Sequence, residues 1–298
     1  MSSCNNRTTL GKPRWLRRTL PTGPEYEKIR RLLKGHELTT VCQKAKCPNQ
    51  FECYSQGTAT FMILGERCTR NCRFCAVEHR PEGPPDPEEP ERVAEAVALL
   101  ELRYAVVTSV TRDDLADGGA SLFAETIAAI RRRRPNTLVE VLIPDLQGDP
   151  DALQTILNAG PHVLNHNIET VARLYPEVRH QAEYRRSLAL IRRVKKKKTH
   201  PQIPTKSGIM LGLGETFQEI EETWRDLLVA GCDILTMGQY LQPSASHLAV
   251  QRFLPPEEFA ELEQKAYALG FAGVASGPFV RSSYQAETLY RRAMRRIT

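Results

Sequence analysis

A chain of 298 residues with 41% hydrophobic content can form one large domain or two of ordinary size. Its eight cysteines could make four disulfides, but six of them lie between residues 42 and 75, and disulfide frameworks are typical of small secreted domains. The chain starts without the apolar segment of a secretory signal, and it contains no run of about 18 apolar residues that could span a membrane. We therefore expect a cytoplasmic protein with reduced thiols and no membrane contact.

The formal net charge of +6 raises the question of a nucleic-acid partner. Basic runs at residues 131–134 and 195–198 each close a segment of helical periodicity, where positive side chains lie favourably against the negative end of the helix dipole. The basic surface is not interleaved with the aromatic side chains that stack on bases. We expect no nucleic acid to bind. Docking of an acidic protein and a simple solvated face both remain open.

The first 23 residues are polar and punctuated by glycine and proline, which predicts an irregular arm. A proline at a helix start and apolar residues at helical spacing then predict a short helix over residues 24–35. The first cysteine set follows, and it consists of Cys42, Cys47 and Cys53. A proline turn directly after the second of these cysteines predicts that the set folds around one small object as a loop, without helix or strand geometry.

From residue 58 onward, short apolar runs alternate with segments of helical periodicity, which predicts repeated βα units and a parallel sheet. The predicted strands cover residues 59–64, 104–109, 138–143, 162–165, 205–211 and 234–237. The predicted helices between them cover residues 89–102, 121–133, 151–158, 182–198 and 216–230. One more helix is predicted over residues 256–269, and a mostly extended ending over residues 271–284.

Six parallel strands make most of a barrel, whereas a full eight-stranded barrel typically takes about 250 residues. We therefore predict an α/β protein in which residues 58–240 form an open, partial (β/α)6 parallel barrel. An N-terminal extension over residues 1–57 would carry the first cysteine set, and a C-terminal extension over residues 241–298 would help it to close the mouth. In such a barrel the active face lies at the carboxyl ends of the strands.

The second cysteine set, Cys68, Cys72 and Cys75, has CxxxCxxC spacing and follows the first predicted strand. Three thiolates in one short loop favour zinc or an iron–sulfur cluster over magnesium or calcium. A closed zinc site takes a fourth ligand, for which His79 is the only nearby candidate, and its position is more typical of a solvent-facing side chain. The spacing favours a 4Fe-4S cluster with three protein ligands and one open iron, and zinc remains the alternative.

The second cysteine set, with Phe74 before its last cysteine, resembles the cluster motif of radical S-adenosylmethionine (SAM) enzymes, in which the open iron binds the amino and carboxylate groups of SAM. The first cysteine set has CxxxxCxxxxxC spacing, and the sequence Arg-Ser-Ser-Tyr occurs at residues 281–284. Together these three motifs resemble those of the lipoyl synthase family, and they stand in the family's order. The resemblance covers nearly the whole chain, including segments 12–16, 165–170 and 231–233.

The resemblance implies two 4Fe-4S clusters in each chain. One would bind SAM on the second cysteine set, and an auxiliary one would be held by the first cysteine set with Ser283 on its fourth iron. Ser283 would be catalytic because a serine oxygen is a harder ligand than a thiolate and can leave when iron is lost. An ordinary hydroxyl at a strand end is its alternative. Arg281 and Tyr284 would support this ligand.

The activity that the resemblance implies is lipoyl synthesis. Two SAM molecules would be cleaved in turn, each giving a 5′-deoxyadenosyl radical that removes hydrogen from an octanoyl chain on a lipoyl-domain lysine. The auxiliary cluster would donate sulfur to carbons 6 and 8. Implied partners are octanoylated lipoyl domains of 2-oxoacid dehydrogenase complexes or the glycine cleavage H protein, a ferredoxin- or flavodoxin-type electron donor, and cluster-assembly proteins.

Three alternatives to this activity stay open. A related two-cluster radical SAM enzyme could insert sulfur into a small molecule or RNA. An iron–sulfur electron carrier or scaffold would need clusters but no substrate, and a zinc-binding interaction protein would need neither SAM nor iron.

Further SAM contacts are implied where other strands end. Gly118 and Gly119 are similar to the superfamily's site for the SAM amino group, although Ala120 stands where many relatives carry glutamate. The stretch over residues 208–215 is similar to its adenine-binding stretch. Arg179 could hold the SAM carboxylate or lie on a surface loop. The predicted SAM contacts are Phe74, Gly118, Gly119, Asn165, Arg179, Gly212 and Glu215.

Overall fold

The computed structural model describes residues 11–17, 24–45, 47–55, 60–80, 82–196 and 203–297. Within this part of the chain the strands are β1 Thr39–Thr40, β2 Thr60–Ile63, β3 Arg67–Cys68, β4 Glu78–His79, β5 Tyr104–Ser109, β6 Leu138–Leu142, β7 Val163–Asn165, β8 Thr205–Leu211, β9 Ile234–Gln239 and β10 Gly273–Gly277. The α-helices are α1 Pro24–Gly35, α2 Val41–Lys44, α3 Gln50–Ser55, α4 Glu89–Leu99, α5 Ala120–Arg133, α6 Pro150–Asn158, α7 Tyr175–Val178, α8 Tyr184–Lys196, α9 Phe217–Ala230, α10 Pro256–Leu269 and α11 Ala286–Ile297. Short 3-10 helices cover Arg14–Leu16, Leu146–Gly148 and Ala172–Leu174.

The described residues form a central eight-stranded sheet in the order β1-β2-β5-β6-β7-β8-β9-β10, and β3 and β4 make a separate pair. Neighbouring strands from β2 to β10 are all parallel, and β1 at one edge runs antiparallel to β2. Helices lie between the successive parallel strands. The protein is therefore an α/β partial barrel, as predicted.

Local sequence explains where these elements begin and end. β8 and β9 are buried almost throughout, as expected of parallel strands covered on both faces. α9 begins at a capping box, in which Thr216 and Glu219 satisfy each other's backbone N–H groups. It ends at Gly231, whose φ of 89° is costly for any residue with a Cβ. Such signals fix where the helix begins and ends.

Two large clusters of buried apolar side chains cover the sheet. One packs α4, α5 and α6 against β2, β5 and β6, and the other packs α9 and α10 against β8, β9 and β10. Inside the barrel, Lys206 and Glu140 form an ion pair of 2.9 Å between side chains that are each 1% exposed. Tyr104 and Asn165 donate further hydrogen bonds to Glu140. These partners offset the desolvation that makes a buried carboxylate costly.

The six predicted strands are confirmed, with ends within two residues of the predicted bounds. The predicted helices are also confirmed, and the largest difference is the end of α4, three residues before the predicted end. Residue 59 and residues 197–198, at the edges of two predictions, lie outside the described residues. So do residues 1–10 and 18–23 of the predicted N-terminal arm.

The expected loop geometry of the first cysteine set is wrong, because Cys42 lies in α2 and Cys53 lies in α3. Helices of four and six residues are too short to show periodicity in a sequence. At the other end of the chain, β10 extends the sheet to seven parallel strands, and α11 packs against the starts of β9 and β10. β10 lies within the predicted extended ending over residues 271–284, but it adds a seventh strand to the six predicted ones, and α11 is an additional helix that the pattern does not predict.

The division of the chain at residues 57 and 240 stays a prediction, although β10 places part of the C-terminal segment in the central sheet. Among the described residues, no helix combines the length and the apolar character needed to cross a membrane.

Candidate active site

A cavity of about 600 Å³ opens at the carboxyl ends of the parallel strands. This volume lies in the range of small-molecule sites, roughly 300–1,000 Å³. Residues in or just after β5, β6, β7, β8 and β9 contribute to its wall. All seven predicted metal ligands also line it, namely Cys42, Cys47, Cys53, Cys68, Cys72, Cys75 and Ser283. The three sequence motifs therefore meet at one space.

The second cysteine set lies on a loop that hydrogen bonds tie to the segment after β5. The N–H and hydroxyl groups of Thr69 both donate to Thr111 O, at 3.0 and 2.9 Å. In return, the N–H groups of Thr111 and Arg70 lie 3.3 and 3.4 Å from Cys68 Sγ. These contacts fix the position of the sulfur, as hydrogen bonds around metal ligands commonly do.

Arg70, between the first two cysteines of this loop, is buried beside two carboxylates. Its guanidinium bonds Asp113 at 2.6 and 2.8 Å and Asp145 at 2.7 Å. Burial alone would raise the pKa of the Asp145 carboxyl, but the hydrogen bonds and charge of Arg70 outweigh it and lower this pKa to about 2. Because Asp113 follows β5 and Asp145 follows β6, this charge network fastens the cysteine loop to two strand ends.

Three further contacts hold the other side of the loop. The N–H of Arg73 donates to Val178 O at 3.0 Å, and the N–H of Leu248 donates to Arg73 O at 3.1 Å. His247 Nε2 lies 2.9 Å from Cys75 O. The second cysteine set is thus fixed by segments from several parts of the chain.

A polar wall, defined here as Arg179, Asn167 and Glu169, lines the cavity beside the second cysteine set. Arg179 Nη1 donates to Asn167 O at 3.0 Å, and Asn167 Nδ2 donates to Glu169 Oε1 at 3.0 Å. Burial raises the pKa of the Glu169 carboxyl, and the charge of Arg179 opposes this shift. Burial likewise raises the pKa of the Cys72 thiol, again opposed by Arg179. The positive charge of Arg179 therefore counteracts the rise in pKa of both Glu169 and Cys72.

The first cysteine set is held by short local turns. The N–H of Cys47 donates to Cys42 O at 3.0 Å, and the N–H of Cys53 donates to Asn49 O at 2.8 Å. Burial, followed by the charge of Cys47, raises the pKa of the Cys42 thiol to about 12, while hydrogen bonds from Thr60 oppose the shift. A bound metal must displace the proton of such a thiol, so metal affinity here depends on pH.

The C-terminal tail reaches this site through three side-chain hydrogen bonds. These are Asn49 Nδ2 to Phe279 O at 2.6 Å, Tyr284 OH to Glu52 Oε1 at 2.9 Å, and Thr60 Oγ1 to Ser283 Oγ at 2.9 Å. Residues 42–53 and residues 281–284, which are far apart in sequence, therefore lie together, as the resemblance requires.

Two glycines of the sheet make room for this tail. A Cβ at Gly238 in β9 would come within 2.0 Å of Val280 O, and a Cβ at Gly208 in β8 would come within 3.1 Å of Ser282 Oγ. A chain can cross strands this closely only where a side chain is missing. The tail therefore lies directly over the carboxyl halves of β8 and β9.

Two predicted SAM contacts, Phe74 and Arg179, line the cavity. Arg179 is buried, so the surface-loop alternative is wrong. Asn165 lies outside the lining that the described residues form, because its fully buried side chain donates to Glu140 inside the barrel. The predicted contact at Asn165 therefore has no support from its position.

The remaining predicted contacts have backbone roles outside the lining formed by the described residues. Gly118 and Gly119 turn the chain into α5 with φ of 59° and 90°, and a Cβ at Gly119 would lie 2.2 Å from Leu64 Cδ1. Glu215 accepts hydrogen bonds from the N–H groups of Gly212 and the next residue, which closes the turn after β8. These positions give no support to direct SAM contacts.

Asn167, Glu169 and Thr60 also line the cavity, and the sequence reasoning did not assign them. Asn167 and Glu169 follow β7 within the segment 165–170, and residues just past a parallel strand are where such sites form. Glu169 also has a φ of 65°, a strained conformation that is common at functional sites. Thr60 carries no local signal, since its partner Ser283 is 223 residues away.

The donor set fits two iron–sulfur clusters, because two groups of three thiols supply the soft ligands that such clusters take. Within the described residues, Asn49 Oδ1, Ser109 Oγ and Arg179 Nε are buried at the cavity without a hydrogen-bond partner, which suits a bound ligand. Over the same residues, no three His, Cys, Asp or Glu side chains are grouped as for a single metal ion, and His79 is exposed. The zinc alternative gains no support from this geometry.

Known proteins match the chain along nearly its whole length. A model of the radical SAM superfamily matches residues 62–227, and a model of the N-terminal domain of lipoyl synthase matches residues 3–47. The lipoyl synthase of Desulfotalea psychrophila is 67% identical over 97% of this chain and 96% of its own length. The lipoyl synthase of Symbiobacterium thermophilum is 56% identical over 96% of this chain and 89% of its own length.

The fold agrees with these matches. The crystal structure of Streptococcus suis SuiB bound to S-adenosylmethionine superposes with a TM-score of 0.53 at 9% identity, over 74% of this chain and 51% of that one. At so low an identity the likeness concerns the fold alone. The sequence matches carry the assignment, and the Desulfotalea psychrophila match extends over more than nine-tenths of both chains. The chain therefore belongs to the lipoyl synthase family of the radical SAM superfamily.

Proposed function

We propose that this protein inserts two sulfur atoms at carbons 6 and 8 of an octanoyl group carried on a lipoyl-domain lysine, as a radical SAM sulfurtransferase. The observation that supports this best is the cavity that both cysteine sets and Ser283 line together. A reaction that joins radical formation to sulfur donation needs both centres within reach of one substrate. An electron carrier has no such need.

The cofactors of this radical SAM protein are 4Fe-4S clusters and SAM. The second cysteine set would hold the SAM-binding cluster, and the first cysteine set with Ser283 would hold the auxiliary one. When bound, these groups supply hydrogen removal from an unactivated carbon and the sulfur that replaces the hydrogen. The contribution of the chain is to orient the reacting groups and the substrate.

Part of the cavity suits an alkyl chain. Met62, Leu142 and Met210 come from three different strands, and all three line the cavity. Methionine side chains are flexible, so they can pack against a thin chain in more than one position. Burial of the octanoyl group among these side chains would also exclude water from the reacting carbons.

The polar wall would hold the charged end of SAM. Arg179 stays positively charged at any ordinary pH, and its Nε has no partner among the described residues, so it can pair with the SAM carboxylate. Glu169 can accept a hydrogen bond from an amino or hydroxyl group. Because Asn167 joins these two side chains, the wall would act as one preformed unit.

Ser283 would be the ligand that leaves the auxiliary cluster. Its oxygen is a harder donor than a thiolate sulfur, so it fits iron in such a cluster less well. Thr60 donates a hydrogen bond to this oxygen, which would stabilise it after it separates from iron. The hydroxyl of Tyr284 holds the tail to Glu52, next to Cys53, so the serine stays near the site.

We further propose the protein partners that this activity requires. The substrate would be the octanoylated lipoyl domain of a 2-oxoacid dehydrogenase complex or the glycine cleavage H protein. A ferredoxin- or flavodoxin-type protein would supply electrons, and cluster-assembly proteins would rebuild the auxiliary cluster. A cytoplasmic location would keep the thiolate ligands reduced.

Anaerobic incubation with SAM, dithionite and an octanoylated lipoyl-domain peptide tests the proposal. By mass spectrometry we expect a peptide with one added sulfur, followed by a peptide with two. A matched peptide with an acetylated lysine should stay unchanged, because it lacks the carbons that receive sulfur. Formation of 5′-deoxyadenosine without any thiolated octanoyl product would contradict the proposal.

A further inference from the structure

Two adjacent serines of the tail contact different parts of the cavity. Ser282 Oγ donates to Asn167 Oδ1 at 2.9 Å, whereas Ser283 Oγ accepts from Thr60 Oγ1 at 2.9 Å. Asn167 belongs to the polar wall beside the second cysteine set, and Thr60 lines the cavity together with Cys42 of the first. Ser282 and Ser283, which are adjacent in the chain, therefore connect the surroundings of the two cysteine sets.

The neighbours of Ser282 fix the direction of its hydrogen bond. An ionised Glu169 can only accept, so the Asn167 amide must turn its Nδ2 toward Glu169 Oε1, 3.0 Å away. This orientation leaves Asn167 Oδ1 free to accept the hydroxyl proton of Ser282. Asn167 O also accepts a hydrogen bond from Arg179. Ser282 therefore bonds directly to the residue that connects Arg179 and Glu169, the two charged members of the polar wall.

The backbone of β8 limits how this contact can move. A Cβ at Gly208 would lie 2.8 Å from Asn167 Oδ1 and 3.1 Å from Ser282 Oγ, so both atoms rest against the strand itself. On the side of the strand there is no space to absorb a displacement, so a movement of one atom toward β8 is transmitted to the other. A shift of Asn167 must therefore shift Ser282 or break the hydrogen bond between them.

The other serine is tied to the first cysteine set. Thr60 is 4% exposed, and it lines the cavity together with Cys42. Its hydroxyl is also the donor to Ser283. Ser283, Thr60 and Cys42 therefore lie together at the cavity, and a cluster bound by Cys42 and Ser283 would hold this group rigid.

We propose that Ser282 is a positioning residue that couples SAM binding to the auxiliary-cluster site. This rests on the proposed function, which assigns SAM to the polar wall and Ser283 to the auxiliary cluster. A cluster that holds Ser283 also fixes Ser282, and so prepares Asn167 and Arg179 for SAM at a smaller entropic cost. Coupling between two sites is reciprocal, so bound SAM in turn favours the arrangement with Ser283 on the cluster.

Equilibrium SAM binding to the full-length, anaerobically reconstituted and unreduced protein tests this coupling without turnover. Binding is compared between the protein with both clusters and a variant with Cys42→Ala, Cys47→Ala and Cys53→Ala, which retains only the second set. We expect the auxiliary cluster to tighten SAM binding by roughly two- to tenfold, the effect of about one hydrogen bond.

The same comparison in a Ser282→Ala background should give equal SAM affinities with and without the auxiliary cluster. Ser276→Ala is the matched control, since its hydroxyl bonds Phe259 O elsewhere in the C-terminal segment, and it should keep the full difference. Iron content and circular dichroism confirm that each variant is loaded and folded.

The proposal would be overturned if the protein with both clusters and the triple cysteine variant bound SAM with equal affinity. So would a difference that survives Ser282→Ala, or one that Ser276→Ala also removes. No octanoylated substrate is present in these measurements, so failure of the coupling and failure of sulfur insertion are seen in separate experiments.

Discussion

The two cysteine sets are held in unlike ways. The second lies on a loop that the buried Arg70 fastens to two strand ends through Asp113 and Asp145. The first lies on and between helices of four and six residues, and single hydrogen bonds of side chains such as Asn49 and Glu52 connect its segment to the tail. One site is built into the barrel, whereas the other is assembled from two ends of the chain.

This difference fits the roles proposed for the two sites. A centre that generates radicals in every turnover must keep its ligands, whereas a centre that gives up sulfur must open and be rebuilt. Losing one hydrogen bond costs about 0.5–1.5 kcal/mol, and leaving a buried charge unpaired costs about 3–5 kcal/mol. The first cysteine set can therefore open while the second stays intact.

The largest expected effect comes from Ser283→Ala, which removes the proposed leaving ligand and keeps all three cysteines of the second site. We expect SAM cleavage to 5′-deoxyadenosine to persist while sulfur insertion falls below detection, measured together by liquid chromatography and mass spectrometry. Ser276→Ala serves as the control and should retain both. Full sulfur insertion in Ser283→Ala would remove the leaving-ligand role.

Arg70→Met removes the charged anchor of the second site. Asp145, whose side chain is 0% exposed, then loses its closest partner but keeps Arg186 at 3.4 Å, and we expect a loss of about 3 kcal/mol in the free energy of unfolding, with iron lost from the second site. Urea unfolding and iron analysis measure both effects. Arg80→Met breaks an exposed pair with Glu78 and should cost less than about 1 kcal/mol. Equal effects of the two substitutions would contradict the anchoring role.

The free energy of unfolding should also depend on pH through His166. Burial, helped by the charge of Arg179, lowers the pKa of His166 to about 4, against about 6.5 in an unfolded chain. The unfolded state then binds the proton more readily than the folded state. The contribution of His166 to the free energy of unfolding is therefore fully present above a pH of about 6.5, and it falls by about 3 kcal/mol as the pH drops toward 4.

Urea unfolding over this pH range should show a smaller decline for His166→Gln than for the unsubstituted protein. The exposed His79 provides the control, and His79→Gln should leave the decline unchanged. A decline of the same size in all three proteins would assign it to other groups.

The smallest effect is expected at Thr60, which supports Ser283 without binding the cluster. Thr60→Val keeps the shape of the side chain but removes the hydroxyl, so sulfur insertion should fall about tenfold while SAM cleavage is unchanged. Thr126→Val removes a buried hydroxyl that bonds Leu122 O in α5, and it should alter neither rate. A parallel fall of both rates in Thr60→Val would indicate general damage rather than a role at Ser283.

Much of the barrel is predictable because parallel strands covered on both faces carry long apolar runs, as β5 does over residues 104–107. The cysteine sets are found from spacing alone, since three thiolates within so few residues are typical of a site for a soft metal. α11 is missed although Ala286, Leu289 and Ala293 give it a buried face at helical spacing. The glycines and small residues of β10 carry no strand signal.

The SAM contacts are harder to predict because they depend on where a strand stops. Asn165 ends β7 and points into the barrel, whereas Asn167, two residues on, lies in the cavity wall. The roles of Gly208 and Gly238 depend on a tail that is distant in sequence. Contacts of that range leave no trace in local periodicity.

Counting iron and sulfide per chain after anaerobic reconstitution tests most directly whether two separate clusters are present. The account predicts about eight of each in the unsubstituted protein, and about four in each of two triple variants in which alanine replaces either the first or the second cysteine set. Four of each in the unsubstituted protein, or zinc in place of iron at either set, would contradict it.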